Sequence, residues 1–243
     1  MSKSGKSSIS VVVPVWNEEA GIPQLREGLV QVQELLCDYG EMEFVFVDDG
    51  STDGTQSALH RHFELAGNYR VVAHERNQGV GAAFRSGFRH ATGEIVCTID
   101  SDCSYRPHGL QLLVQALESG GDIAVASPYH PQGGVEGVPW WRLALSKCCS
   151  WGYRRIAPVP LYTYTSIFRA YRRRVIETVS FQGNGFVSAS EILVNAARQG
   201  YRIVEVPMTL HARKTGQSKM KVARTARAHL QMMRSLISKE SYR

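Results

Sequence analysis

Five short runs of β-branched and other apolar residues punctuate the first half of the chain: Ile9-Ser10-Val11-Val12-Val13-Pro14-Val15, Phe44-Val45-Phe46-Val47, Arg70-Val71-Val72-Ala73, Ile95-Val96-Cys97-Thr98-Ile99 and Ile123-Ala124-Val125-Ala126. Between them the apolar positions recur at helical spacing. Ile22, Leu25, Leu29, Val32, Leu35 and Leu36 mark one face of a helix, with Pro23 near its start, where a missing N–H leaves no bond unmade. A second helix is expected after Asp53, a third from Gly79 to His90 and a fourth from Pro107. Apolar strands separated by helices predict an α/β protein whose central, mostly parallel sheet is covered by helices on both faces. Ligands of such sheets bind beyond the carboxyl ends of the strands.

The polar residues gather at those ends. The first strand runs into Trp16-Asn17-Glu18-Glu19 and the second into Asp48-Asp49-Gly50-Ser51-Thr52-Asp53. The third leads to Arg76-Asn77-Gln78-Gly79-Val80-Gly81, the fourth to Asp100-Ser101-Asp102. One such end is ordinary turn chemistry. Four on one rim describe a site.

The second half is less regular. Trp140 to Ile156 alternates aromatic and basic residues, Gly185 to Gln199 reads as a helix, and Tyr201 to Leu210 as a strand containing Pro207. The loop Arg213-Lys214-Thr215-Gly216-Gln217-Ser218-Lys219 leads into a basic helix ending near Ile237. No internal repeat or low-complexity linker divides the chain. The expected organisation is a loose tail over residues 1–8, one domain over 9–219, and a basic amphipathic helix over 220–243. The tail, polar with Lys3 and Lys6, lacks the apolar core of a secretory signal. With 243 residues and 43% of them hydrophobic, the chain can bury one substantial core. No apolar run approaches the ~18 residues of a transmembrane helix. Five cysteines without a CxxC pair read as reduced thiols of a cytoplasmic protein and argue against zinc.

Asp100 and Asp102, two residues apart just past a strand, can turn both carboxylates to one point, where their repulsion calls for a shared cation. Hard oxygen ligands beside a diphosphate favour Mg²⁺ or Mn²⁺, which would bridge the phosphates and stabilise the diphosphate as it leaves. The plain alternative is a capped turn with a solvated charge. A carboxylate at Asp48 or Asp49 can accept hydrogen bonds from a nucleoside; equally, Ser51, Thr52 and Asp53 can cap the next helix. Gly79 and Gly81 either let a ligand approach the backbone or let the helix start pack tightly.

Taken together, Val12-Val13-Pro14-Val15-Trp16-Asn17-Glu18-Glu19, Val47-Asp48-Asp49-Gly50-Ser51-Thr52-Asp53-Gly54-Thr55, Asn77-Gln78-Gly79-Val80-Gly81-Ala82-Ala83 and Thr92-Gly93 with Asp100-Ser101-Asp102 resemble the family 2 glycosyltransferases in order and spacing. Phe168-Arg169-Ala170-Tyr171-Arg172-Arg173, Glu205-Val206-Pro207 and Gly216-Gln217-Ser218-Lys219 look like its dolichol-phosphate mannosyltransferase-like branch. The resemblance covers Ser8 to Lys219. It implies the GT-A (Rossmann-like) fold, a nucleoside-diphosphate sugar donor such as GDP-mannose or a UDP-sugar, and an inverting displacement. Carried over by position, Pro14, Asn17 and Glu18 would border the nucleoside, with Asp48 near base or ribose and Asp49 and Gly79 beside it. Asp100 and Asp102 would handle ribose, diphosphate and metal, Ser104 would complete the metal shell, and Arg213, Ser218 and Lys219 would neutralise phosphate. That assignment suits their chemistry, since Arg forks onto phosphate and Lys supplies a point charge. His211, next to that loop, reads as a surface histidine more readily than as a ligand.

Three positions depart from the branch, all in the acceptor half. Ala189 stands where a Gln-x-Glu pattern ending at Glu191 has Gln, Thr163 replaces an Asp, and Pro128 replaces the Arg of Ser-Arg-Tyr. A polyprenyl phosphate, or another membrane-associated anionic acceptor, needs positioning more than deprotonation. A hydroxyl acceptor needs a general base within hydrogen-bond reach, and Glu191 is the candidate. In the first case Asp102 and Glu191 orient the reactants; in the second Glu191 takes the proton.

The formal charge of +6 changes the picture only through its location. Trp140–Ile156 and the last helix, where Val222, Ala226, Leu230, Met233 and Ile237 oppose Lys221, Arg224, Arg227 and Arg234, could lie on the cytoplasmic face of a membrane or pack on the domain with solvated basic faces. Nucleic acid is the poorest partner, because no recognisable module accompanies the charge. A nucleotidyltransferase would start with a glycine-rich basic loop where this chain has Pro14-Val15-Trp16-Asn17-Glu18. A degenerate, non-catalytic binding module is opposed by the intact carboxylate pair.

Overall fold

The computed structural model describes residues 7–64, 67–213 and 222–240. Its first half alternates strand and helix as the pattern predicts: β1 (Ile9–Val15), α1 (Ile22–Leu35), β2 (Met42–Asp48), α2 (Thr55–Phe63), β3 (Tyr69–Ala73), α3 (Val80–His90), β4 (Ile95–Thr98), α4 (Leu110–Glu118) and β5 (Ile123–Ser127). Pro23 sits in the first turn of α1, where it has no hydrogen bond to break. Pro107 opens a single 3-10 turn that runs into α4. Of the expected tail, residues 1–6 lie outside the described residues. Ser7 and Ser8 already belong to the folded body: the Gly40 N–H donates to the Ser7 carbonyl at 3.1 Å, and the Ile95 N–H to that of Ser8 at 3.0 Å.

The second half supplies β6 (Gly134–Glu136), α5 (Trp140–Ile156), β7 (Arg169–Arg172), α6 (Arg173–Thr178), α7 (Val187–Arg198), β8 (Ile203–Pro207), β9 (Thr209–His211) and α8 (Val222–Glu240). Seven strands form one sheet in the order β3-β2-β1-β4-β7-β5-β8. All pair in parallel except β7, which runs antiparallel to β4 and β5. β7 is the strand the apolar pattern does not announce, because two of its four residues are arginines. Arg169 is nevertheless fully buried, donating to the backbone carbonyls of Ala189 at 2.6 Å and Tyr164 at 3.0 Å. The expected strand from Tyr201 to Leu210 is two strands. Pro207, which lacks an N–H, closes the edge strand β8, and after Met208 the chain turns away so that β9 pairs with β6.

Alternation along each strand feeds two cores. Val11 and Val13 face Leu25 and Leu29 of α1, Leu59 of α2 and Leu113 of α4. Val12, Val45 and Val47 face Phe84 and Phe88 of α3 and Leu193 of α7, with Tyr153 of α5 and Leu236 of α8 beyond them. From β1 the strand order proceeds outward to β2 and β3 on one side and to β4 on the other. The resulting crevice opens above the carboxyl ends of β1 and β4, where α/β sheets bind ligands. Among the described residues no helix is long and apolar enough to cross a membrane.

Candidate active site

The loops after β1 and β2 are stitched together by their own polar residues. Asn17, in the left-handed region at φ 52° that Asn tolerates, donates its N–H to Ser51 Oγ at 2.9 Å. Its Oδ1 accepts the Thr52 N–H at 2.7 Å. The Glu18 N–H donates to Thr55 Oγ1 at 2.8 Å, and Glu19 accepts the Gly54 N–H at 3.0 Å. Asp48 is buried and accepts the Ser51 N–H at 3.0 Å. Asn17 and Asp48 therefore build the rim, and neither lines the cleft.

Asp49, which does line the cleft, holds the next loop. It accepts the N–H groups of Gln78 at 2.9 Å and Gly79 at 2.7 Å. Its other neighbour is His74, just past β3, whose Nδ1 lies 2.7 Å from Asp49 and whose Nε2 lies 2.9 Å from Ser86 Oγ on α3. His74 was not singled out by sequence, although it follows a strand end on the same rim. Both glycines pack against protein backbone, and Gly79 also lines the cleft. Gly79 takes φ 97°, a Cβ on it would overlap the Asn184 carbonyl, and one on Gly81 would overlap that of Gly183. The Gly81 N–H donates to Asn184 O at 2.7 Å.

After β4 the chain turns so that Asp100, Asp102 and Ser104 all face the cleft, with Cys103 at φ 51°. The Ser104 N–H donates to Asp102 Oδ1 at 2.9 Å. Arg213 reaches in from beyond β9. Its Nε donates to Asp102 Oδ2 at 2.8 Å, a second nitrogen binds the same oxygen, and Nη1 lies 3.7 Å from Glu18. Burial first, and the charge of Asp102 second, hold the Asp100 carboxyl well above the ordinary range, with Arg213 pulling the other way. The pair thus repels itself in the manner a shared cation would relieve. No group of three or more His, Cys, Asp or Glu side chains gathers to hold a metal among the described residues. A cation here would take two carboxylates and draw its remaining oxygens from Ser104, phosphate and water, which suits Mg²⁺ or Mn²⁺. His211 bonds Glu136 through Nδ1 at 3.0 Å and donates its N–H to the Ser104 carbonyl.

These loops border one open cleft of about 1190 Å³. Pro14, Glu18, Asp49, Gly79, Asp100, Asp102, Ser104 and Arg213 line it. Ser218 and Lys219 lie outside the described residues. Glu191 stands behind the wall: its oxygens accept the N–H groups of Gln182 at 3.0 Å and Gly183 at 2.8 Å. It clamps the loop that carries Asn184 and Phe186 into the cleft and does not itself line the cleft. Thr163 bonds Ser127 Oγ at 2.8 Å and donates its N–H to Glu205 at 2.9 Å. The opposite wall is helical, with Arg142, Leu143 and Ser146 of α5 and Arg224, Ala228 and His229 of α8. The sequence pattern marked α8 as amphipathic without revealing that it faces the cleft.

A model of the glycosyl transferase family 2 matches residues 10–180. A polyprenol monophosphomannose synthase of Mycolicibacterium smegmatis is 34% identical over 218 residues, covering 86% of this chain and 80% of its own. A dolichol-phosphate mannosyltransferase of Pyrococcus furiosus is 31% identical over 217 residues, covering 88% of this chain. The chain spans only 59% of that relative's length. Among solved structures, glucosyl-3-phosphoglycerate synthase of Mycobacterium tuberculosis, in complex with Mn²⁺, UDP and glucosyl-3-phosphoglycerate, superposes with a TM-score of 0.70 at 23% identity, covering 95% of this chain and 81% of the other. A mannosyltransferase of Pyrobaculum calidifontis with GDP-Man and Mn²⁺ gives 0.65 at 24% identity, covering 93% and 63%. The carboxylate rim at the β1/β4 crevice, the strand order and the family match agree, and the chain belongs to glycosyltransferase family 2, as a GT-A enzyme of the dolichol-phosphate mannosyltransferase-like branch.

Proposed function

We propose that this glycosyltransferase moves a hexose from a nucleoside-diphosphate sugar, GDP-mannose or a UDP-sugar, to a polyprenyl phosphate with inversion at the anomeric carbon. The observation that carries the reading is the two-signed cleft. One end is rimmed by Glu18, Asp49, Asp100 and Asp102, and the other is walled by α5 and α8 with Arg142 and Arg224. The acidic end suits a divalent cation with its diphosphate, and the helical end suits an anionic acceptor with an apolar tail.

Asp100 and Asp102 would hold Mg²⁺ or Mn²⁺, with Ser104 beside them. The ion supplies positive charge to the departing diphosphate. Pro14, Glu18 and Asp49 border the nucleoside, and Asp49 keeps the Gln78–Gly79 turn in place. Arg213, joined by Ser218 and Lys219, neutralises phosphate. A phosphate acceptor arrives already ionised, so the step needs alignment more than a base. Its oxygen attacks the anomeric carbon from the side opposite the diphosphate, and the bond to the leaving oxygen breaks. The placement of Glu191 on loop amides supports this acceptor over a hydroxyl, which would require a base. Trp140, Trp141 and Trp151 of α5 and Leu230 and Ile237 of α8 are exposed, in keeping with peripheral contact on the cytoplasmic face of a membrane.

The test combines thermal shifts against a nucleotide-sugar panel, with and without Mn²⁺, and transfer of labelled sugar into an organic-extractable polyprenyl phosphate. Metal-dependent donor binding and an inverted lipid-linked product are expected. Donor binding indifferent to metal, or donor turnover with no lipid product, would refute the reading.

A further inference from the structure

Asp49 is anchored more firmly than a turn residue requires. Two backbone N–H groups, those of Gln78 and Gly79, already tie it to the loop after β3. That loop comes close because Gly50 takes φ 71° and has no Cβ to overlap the Arg76 backbone. A third bond comes from His74, whose Nδ1 lies 2.7 Å from Asp49 Oδ1. On the far side of the ring, Nε2 lies 2.9 Å from Ser86 Oγ, and Arg89 donates to that hydroxyl at 3.3 Å. The imidazole is gripped at both nitrogens, with 9% of the His74 side chain and 5% of that of Asp49 exposed. An ionised carboxylate only accepts. Whichever way the Ser86 proton points, Nδ1 is therefore the donor to Asp49.

The order Asp, His, Ser suggests a nucleophile relay, and its placement excludes one. Ser86 is buried in the middle of α3, and neither it nor His74 lines the cleft, whereas Asp49 does. The chain of bonds thus meets the cleft on a carboxylate. A carboxylate offers about four acceptor positions. His74 and the Gln78 N–H occupy Oδ1, and the Gly79 N–H takes one place on Oδ2. Room is left on Oδ2 for one further donor, such as an N–H of a nucleobase.

We propose that His74 is a positioning residue for the donor: by holding Oδ1 it locks the Asp49 carboxylate with its remaining acceptor turned to the base. Ser86 acts on the same contact one step further back, by orienting the imidazole. This rests on the nucleoside-diphosphate donor reading above and adds to it a residue behind the wall that sets how firmly the base is held. Without His74 the carboxylate keeps its loop amides but loses the bond that fixes its rotation, and binding must then supply that order.

The test titrates the full chain, in the presence of Mn²⁺, with UDP, with GDP and with pyrophosphate, which has no base. His74→Leu should weaken binding of whichever nucleotide the wild type prefers by ~5- to 50-fold, with pyrophosphate affinity within about twofold. In turnover the donor KM should rise by the same factor at nearly constant kcat, the signature of binding shared by ground and transition states. His74→Asn, whose amide nitrogen can take the place of Nδ1, should recover most of the loss, and Ser86→Ala should lose ~2- to 5-fold. Nucleotide affinity unchanged in His74→Leu, equal losses of nucleotide and pyrophosphate, or a His74→Asn no better than His74→Leu would each overturn the positioning role. If His74→Leu fails to fold, Ser86→Ala decides, since unchanged nucleotide affinity there would also overturn it. Nucleotide binding that depends on His74 in a protein that transfers no sugar would support the role and refute the proposed transfer. A wild type that binds neither nucleotide would overturn the donor itself, and the role of His74 with it.

Discussion

Replacing Arg213 by Gln removes a positive charge from the place a metal would take. Its Nε lies 2.8 Å from Asp102 Oδ2 and its Nη1 3.7 Å from Glu18. The Asp102 and Arg213 side chains are 10% and 21% exposed. Two unit charges about 4 Å apart at an effective dielectric constant of 20 attract by about 4 kcal/mol. Desolvation and residual screening lower the net value, leaving ~1.5–3 kcal/mol that a cation must overcome to share Asp102. Without nucleotide, Arg213→Gln should therefore bind Mn²⁺ ~10- to 100-fold more tightly than wild type. The metal-free variant should be less stable, since Glu18, Asp100 and Asp102 lose their counter-charge, and Mn²⁺ should restore much of that loss. Calorimetric Mn²⁺ titration of metal-free protein, with thermal unfolding alongside, reads both effects. With donor present, transfer should fall, because the diphosphate loses a guanidinium. Unchanged or weaker Mn²⁺ affinity in the variant would refute the idea that the ion and Arg213 compete for Asp102.

Gly81→Ala should destabilise the fold by ~1–3 kcal/mol, because its Cβ would overlap the Gly183 carbonyl; Gly185→Ala, with nothing within 4 Å, is the neutral control in denaturant unfolding. His229, buried with its pKa lowered from 6.5 to about 4, binds fewer protons folded than unfolded between those values. Stability should fall as pH drops through that window, by at most ~3 kcal/mol from this group, and melting curves of His229→Gln should be flatter there. Glu191→Gln should cost transfer less than about tenfold and leave the acidic limb of the pH–rate profile in place, whereas a loss of ~10²–10⁴ with that limb removed would reinstate a general base. Asp49→Asn should weaken donor binding, since the amide cannot accept from Gln78, Gly79 and His74 together; a loss of ~1–3 kcal/mol in stability would accompany it.

The alternation of β-branched runs with 3.6-period faces was sufficient for β1 to β5, α1 to α4 and the parallel sheet, because each of those elements buries residues adjacent in sequence. The carboxylate rim was legible for the same reason: each of its carboxylates follows a strand end within a few residues. What the pattern could not reveal depends on where distant segments meet. β7 enters the sheet through Arg169, a charged residue whose burial is tolerated only because the carbonyls of Tyr164 and Ala189 receive it. Asp48 and Asp49 are neighbours in sequence, but adjacent side chains leave a strand on opposite faces, so one builds a turn and the other lines the cleft. Gly79 and Gly81 match a ligand loop and a packed loop equally well until Asn184 and Gly183 are seen against them. Glu191 sits in a motif that suggests chemistry, and only the fold reveals its oxygens on loop amides. Local sequence thus determined the elements and the rim, since both follow from neighbouring residues. Tertiary packing decided which polar groups remain free to act, because a hydrogen bond to a distant backbone removes a side chain from the chemistry its residue type suggests.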